Sequence, residues 1–132
     1  MNLSCTIGQL YISLHRTSME KLRTVTLYKE YFTDFYNKQR QKVKDKILWT
    51  FKIIEITRQI PTDYFKYIEG TDGLYEIRVS QGGDIFRIFC FFDEGNLIVM
   101  ANGFQKKTQK TPKSEIEKAL KIKHEYEEEE KH

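Results

Sequence analysis

Two arginines, Arg78 and Arg87, flank a Gly82-Gly83 pair, and that spacing fixes how they would meet on a sheet. Two-residue glycine connections close β-hairpins; with Gly82-Gly83 as the turn, Gln81 pairs with Asp84 and Arg78 stands directly opposite Arg87. A second turn at Glu94-Gly95 pairs Arg87 with Asn102. Arg78, Arg87 and Asn102 then form a row across three strands, with Lys106 leaving the last strand on the same side. Like charges facing each other across strands are mildly destabilising, and guanidinium forks match phosphate oxygens two at a time. Such a row is suited to holding an anion and stabilising extra negative charge on it. The plainer alternative is that Glu76, two residues from Arg78 on the same face, neutralises the pair.

Other chemistries find less support. His15, His124 and His132 have no ligand spacing and no cysteine companions, so neither a metal nor another cofactor is expected. No serine sits in a nucleophile elbow, and Gly82-Gly83 is not followed by the lysine and helix of a phosphate loop. Cys5 and Cys90 cannot build a disulfide framework, which fits a reducing cytoplasm, and Cys90 reads as a small buried hydrophobe. No apolar run approaches the roughly 18 residues of a membrane span, and the N-terminus lacks the basic region of a secretory signal.

The charge of the 132-residue chain is only +3, but it is segregated. From Lys38 to Arg58 seven cations face two acids, a net of +5. From Asn102 to Lys113 there are four lysines and no acid, and beyond Ser114 seven acids face four lysines, a net of −3. Such a chain could hold a polyanion on one surface, although ordinary solvated faces would give the same counts.

These side chains need elements to position them. Residues 1–20 lack periodicity and are expected to form a poorly ordered leader, with a single domain over residues 21–132. Lys21 to Tyr28 is β-branched and aromatic and predicts a strand. Tyr31, Phe32, Phe35 and Tyr36 recur at helical spacing, as do Val43, Ile47, Phe51 and Ile54, predicting two helices. The second carries its lysines on the opposite face, and the pattern ends by Gln59-Ile60-Pro61. After a connection from Thr62 to Asp72, strands are predicted at Leu74 to Gln81, Asp84 to Phe92 and Asn96 to Phe104, an antiparallel meander. Parity then places Phe86, Ile88, Cys90 and Phe92 with Leu97, Val99, Ala101, Ile77 and Val79 on one apolar core face. Thr111-Pro112, with Glu115 and Glu117 in a first turn, opens a closing helix that carries Ile116, Leu120 and Ile122. The class is α+β: a strand, two helices, a three-stranded meander and a C-terminal helix.

Gly73-Leu-Tyr-Glu-Ile-Arg78, Phe86-Arg-Ile-Phe89, Gly103-Phe-Gln-Lys-Lys-Thr-Gln-Lys-Thr-Pro112 and Glu115-Ile-Glu-Lys-Ala119, in this order, resemble the phage-derived HigB-like branch of the RelE toxin superfamily. The resemblance runs from Leu22 to Tyr126. It implies a RelE-like fold and a ribosome-dependent endoribonuclease that cuts messenger RNA and is held inactive by an antitoxin, often a helix-turn-helix protein. It also implies cleavage in which the ribose 2′-OH attacks the adjacent phosphate, with cationic side chains rather than metal carrying the charge. Residue by residue, the matching catalytic positions are Arg78, Arg87, Lys106 and Lys107. Lys38, Arg40, Lys42, Lys44, Lys46, Asn102, Lys110 and Lys113 are expected to bind RNA. The chain departs from relatives that use a late tyrosine, since Tyr126 lies within the acidic helix, and from those with a histidine and acid in the last strand. Glu76 is left as the one acid of note near the row. A module of the same fold that binds RNA or protein without cutting is the alternative.

Overall fold

Strand residues that alternate between two apolar faces need cover on both sides, and that requirement shapes this molecule. A computed structural model describes residues 20–131. The expectation about the leader therefore lies, apart from Glu20, outside the described residues. The elements are β1 (Thr24–Leu27), α1 (Tyr31–Asn37), α2 (Gln41–Ile56), β2 (Phe65–Tyr67), β3 (Leu74–Gln81), β4 (Asp84–Phe92), β5 (Leu97–Lys106) and α3 (Lys113–Glu130). The α+β class and the order of strand, two helices, strands and closing helix are as the sequence predicts.

One five-stranded sheet runs in the order β1-β5-β4-β3-β2, with β1 parallel to β5 and the remaining pairs antiparallel. The stretch from Thr62 to Asp72 is not merely a connection, because Phe65–Tyr67 pairs with β3 as an edge strand. Three residues are too few to show an alternating pattern, so this strand exists only through its partner.

The hairpin at Gly82-Gly83 is as expected, with Gln81 opposite Asp84 and Arg78 opposite Arg87; both glycines have positive φ, the left-handed conformation such turns require. The second hairpin corrects the sequence reading. Asp93 N–H donates to Leu97 O at 2.8 Å, so the loop holds Glu94, Gly95 and Asn96 rather than two residues. Phe92 consequently pairs with Ile98. A bulge follows between Ile88 and Cys90, where Ala101 and Asn102 share the place opposite Phe89, and it shifts the register again. Arg87 therefore faces Phe104 instead of Asn102, and Lys106 lies within the strand opposite Ile85.

The same shifts overturn the single core face. Ile77, Val79, Phe86, Ile88 and Cys90 pack with Ile98 and Met100 beneath α1 and α2. Val99 and Ala101 lie on the other face, with Leu74, Phe89 and Phe91, beneath Ala119 and Ile122 of α3. The sheet is thus sandwiched at this end. Val43, Ile47, Phe51 and Ile54 of α2 are all buried, each such side chain contributing about 1.5–3 kcal/mol relative to exposure.

The C-terminal end of α2 is tied to β1 and to the residue before it. The Arg23 guanidinium donates to the carbonyls of Ile54, Thr57 and Arg58 at 2.7–2.9 Å, satisfying one acceptor of the last helical turn and two in the segment that leaves it. This ends the helix at Ile56, short of the Pro61 stop. The buried Glu55 carboxylate accepts the Val25 N–H at 2.7 Å, on the side of β1 away from β5. No helix among the described residues is long and apolar enough to cross a membrane.

Candidate anion site on the sheet

Parity along β3 and β4 sends Glu76, Arg78, Ile85 and Arg87 to the α3 side of the sheet, near the Gly82-Gly83 turn. Phe104 and Lys106 of β5 join them across from Arg87 and Ile85. The two guanidinium groups converge on one carboxylate. Arg78 Nε lies 3.4 Å from Glu76 Oε1, and Arg87 Nε lies 3.8 Å from Glu76 Oε2. One acid thus serves two cations, and a positive charge remains.

The partners differ in access. The Arg78 side chain is 32% exposed, whereas that of Arg87 is 6% exposed. One Arg87 guanidinium nitrogen, Nη1, donates to the Phe86 carbonyl at 3.1 Å, while its Nε is buried with no hydrogen-bond partner among the described residues. At 3.8 Å the contact with Glu76 is an ion pair too long for a hydrogen bond. A buried donor left unsatisfied costs about 1–3 kcal/mol. Burial, and then the nearby Arg78 charge, push the Arg87 pKa below the ordinary arginine value, with Glu76 opposing them. The sheet holds a desolvated cation it does not fully compensate.

This separates the roles expected of the arginines. Arg78 can present its guanidinium to a ligand, and Arg87 stands behind it as a buried source of positive potential rather than a second open clamp. Lys106 is half-buried on the same face. Lys107 and Lys110 are exposed in the segment after β5, and Lys113 is exposed at the start of α3. Asn102 is 1% exposed at the bulge, where its amide donates to the Glu115 carboxylate at 3.1 Å; it braces α3 and is not an open RNA contact.

The other expected RNA contacts lie elsewhere. Lys42, Lys44 and Lys46 are on α2, which covers the opposite face of the sheet, and Lys38 ends α1. Arg40 pairs with Asp84 at 3.0 Å and donates to the Gln81 carbonyl, pinning the first hairpin. The structure therefore divides the basic residues between two faces. Ile85, 39% exposed, and Phe104 form an apolar rim to the cluster that the sequence reading did not single out, because it put Asn102 in Phe104's place. Tyr126 donates to Asp93 at 2.6 Å and packs on Tyr28 and Phe91, away from the arginines. Among the described residues no group of His, Cys, Asp or Glu side chains is arranged to hold a metal ion.

Fold and cluster together define a small α+β protein with a paired-arginine site on a five-stranded sheet. The chain belongs to the family of phage-derived Gp49-like proteins (DUF891), whose model matches residues 34–124 and so spans Glu76, Arg78, Arg87 and Lys106. A search of curated proteins finds no match.

Proposed function

We propose that this protein is a toxin of the RelE/HigB type that inhibits translation by cutting messenger RNA on the ribosome. Membership of the Gp49-like family, which is typically linked to RelE-like toxins, supports this reading. The observation that carries it is the pair of guanidinium groups sharing one carboxylate, with Arg87 Nε buried and without a hydrogen bond among the described residues.

In the proposed reaction the ribose 2′-OH attacks the adjacent phosphorus, the bond from phosphorus to the 5′ oxygen breaks, and a 2′,3′-cyclic phosphate and a 5′-hydroxyl result. Charge builds on the non-bridging oxygens of the phosphorane. Arg78 donates to those oxygens, and Arg87 raises the local potential from behind, where low dielectric strengthens its field. Glu76 orients Arg78 and is the nearest carboxylate to take the 2′-OH proton. Lys106, on the same face, binds the phosphate or protonates the departing oxygen, with Lys107 adjacent. Ile85 and Phe104 give a flanking base an apolar surface. A cognate antitoxin, of the helix-turn-helix kind that the resemblance suggests, holds the toxin inactive, and its acidic side chains have the basic surface as their counterpart.

The test is a brief pulse of expression followed by mapping of transcript ends. Cuts at translated codons are expected, and Arg78→Ala lowers cleavage by about 10²–10³-fold, the worth of one donor to a developing oxyanion. A folded Arg78→Ala protein that cuts as well as wild type removes the site. RNA binding without cleavage, even when ribosomes are supplied, leaves the binding-module reading in its place.

A further inference from the structure

Trp49, the one tryptophan of the chain, is 43% exposed on the solvent side of α2, although burying so large a ring is ordinarily among the most favourable choices a helix can make. It is not isolated. Lys42, Lys46 and Trp49 recur at i, i+4 and i+7 and form one stripe. Lys46 Nζ lies 4.5 Å from the Trp49 ring centre, and Tyr64 packs edge-on against the indole with centroids 5.9 Å apart. Lys44 flanks the stripe, its Nζ 5.6 Å from the Tyr36 ring. The neighbouring acid, Asp45, accepts a hydrogen bond from Gln41 at 2.8 Å.

We infer that this stripe is a second nucleic-acid surface, a stacking platform for single-stranded RNA on the face of the sheet opposite Arg78 and Arg87. Tyr64 meets the indole at a steep angle of 72° and steadies it, and a base that lies on the ring takes the place of the Lys46 ammonium, which moves to the phosphate. Lys42 and Lys46 stand about 6 Å apart along the helix axis, a spacing comparable to one nucleotide step of an extended strand, and take adjacent phosphates. A single strand uses both the cations, for its phosphates, and the indole, for a base. The inference rests on reading the protein as one that acts on RNA, but not on catalysis.

The experiment titrates the protein with an oligouridylate of about twelve nucleotides and follows tryptophan emission, which reports Trp49 alone. Quenching is expected, with affinity falling as salt rises. By anisotropy of the labelled oligomer, Trp49→Ala weakens binding about ten-fold or more, Trp49→Phe retains most of it, and Lys46→Ala reduces the salt slope by about 0.7. Emission unchanged at saturating RNA, or binding indifferent to Trp49→Ala, overturns the proposal, as does quenching by phosphatidylserine vesicles with none by RNA. Quenching without cleavage by the wild type keeps the platform and discards the nuclease, whereas cleavage without quenching does the reverse.

Discussion

At the scale of single residues, the arrangement around Glu76 explains why an unfavourable pair persists. Arg78 opposite Arg87 is a repulsive cross-strand contact, and Glu76 offsets it for both without meeting the hydrogen-bonding needs of Arg87 Nε. On the proposed reading, an anion held by the more exposed Arg78 adds the negative charge that Glu76 alone does not supply. Inorganic phosphate at ten times its Kd should therefore stabilise the folded protein by about 1.4 kcal/mol, seen as a higher Tm. In Arg78→Ala the gain should shrink strongly, and an equal gain in both proteins would show that phosphate acts elsewhere. Glu76 and Arg78 were legible as a same-face pair from their spacing alone. That Glu76 also reaches Arg87 follows from side-chain directions that spacing does not encode.

At the scale of elements, two contacts decide how helices sit on the sheet. Gly103 lets the Phe35 ring lie against β5, where an added Cβ would meet three ring carbons at 2.5–2.8 Å. Phe35 is itself buried in the core, so Gly103→Ala should cost about 1–3 kcal/mol, measurable as a lower urea midpoint. An unchanged midpoint would mean that α1 can shift freely. Arg23 supplies three hydrogen bonds to the end of α2, and Arg23→Ala should increase hydrogen exchange in the last turn of that helix and cost about 1–3 kcal/mol. Neither contact was visible beforehand, since each joins residues far apart in sequence.

For the molecule as a whole, α3 is latched to the turn after β1. Lys29, the one non-glycine residue with positive φ among the described residues, places its ammonium 2.9 Å from both Glu125 and Glu129. Hydrogen bonds from Lys29, and then from Tyr28, hold both carboxyls below their ordinary pKa, and Tyr31 adds to the effect at Glu125. A carboxyl depressed in the folded state binds its proton more readily in the unfolded chain. Its contribution is therefore complete above the usual carboxylate pKa of about 4.3 and drains away as pH falls through the folded values. Tm should fall on acidification below that point, and Lys29→Met should flatten the slope. Identical slopes in the two proteins would show that the latch carries no stability. The latch closes α3 over the sheet face that also bears the arginine cluster, so the same helix covers one end of that face and leaves the other open.

Local pattern determined much of this protein without help. Alternation and the glycine pair set β3, β4, their turn and the meeting of Arg78 with Arg87, because a two-residue hairpin leaves its register no freedom. Helical periodicity set the buried stripe of α2, and proline and acidic residues marked the start of α3. Tertiary structure decided the rest: the three-residue loop and bulge that put Phe104 beside Arg87, the parallel pairing of β1 with β5, the second core under α3, and the separation of the lysines of α2 from the arginines. Each of these depends on one extra residue in a strand or on contacts between distant segments. Changing a strand by one residue reverses every side chain beyond it, and only the packing of the whole chain selects which reversal is kept.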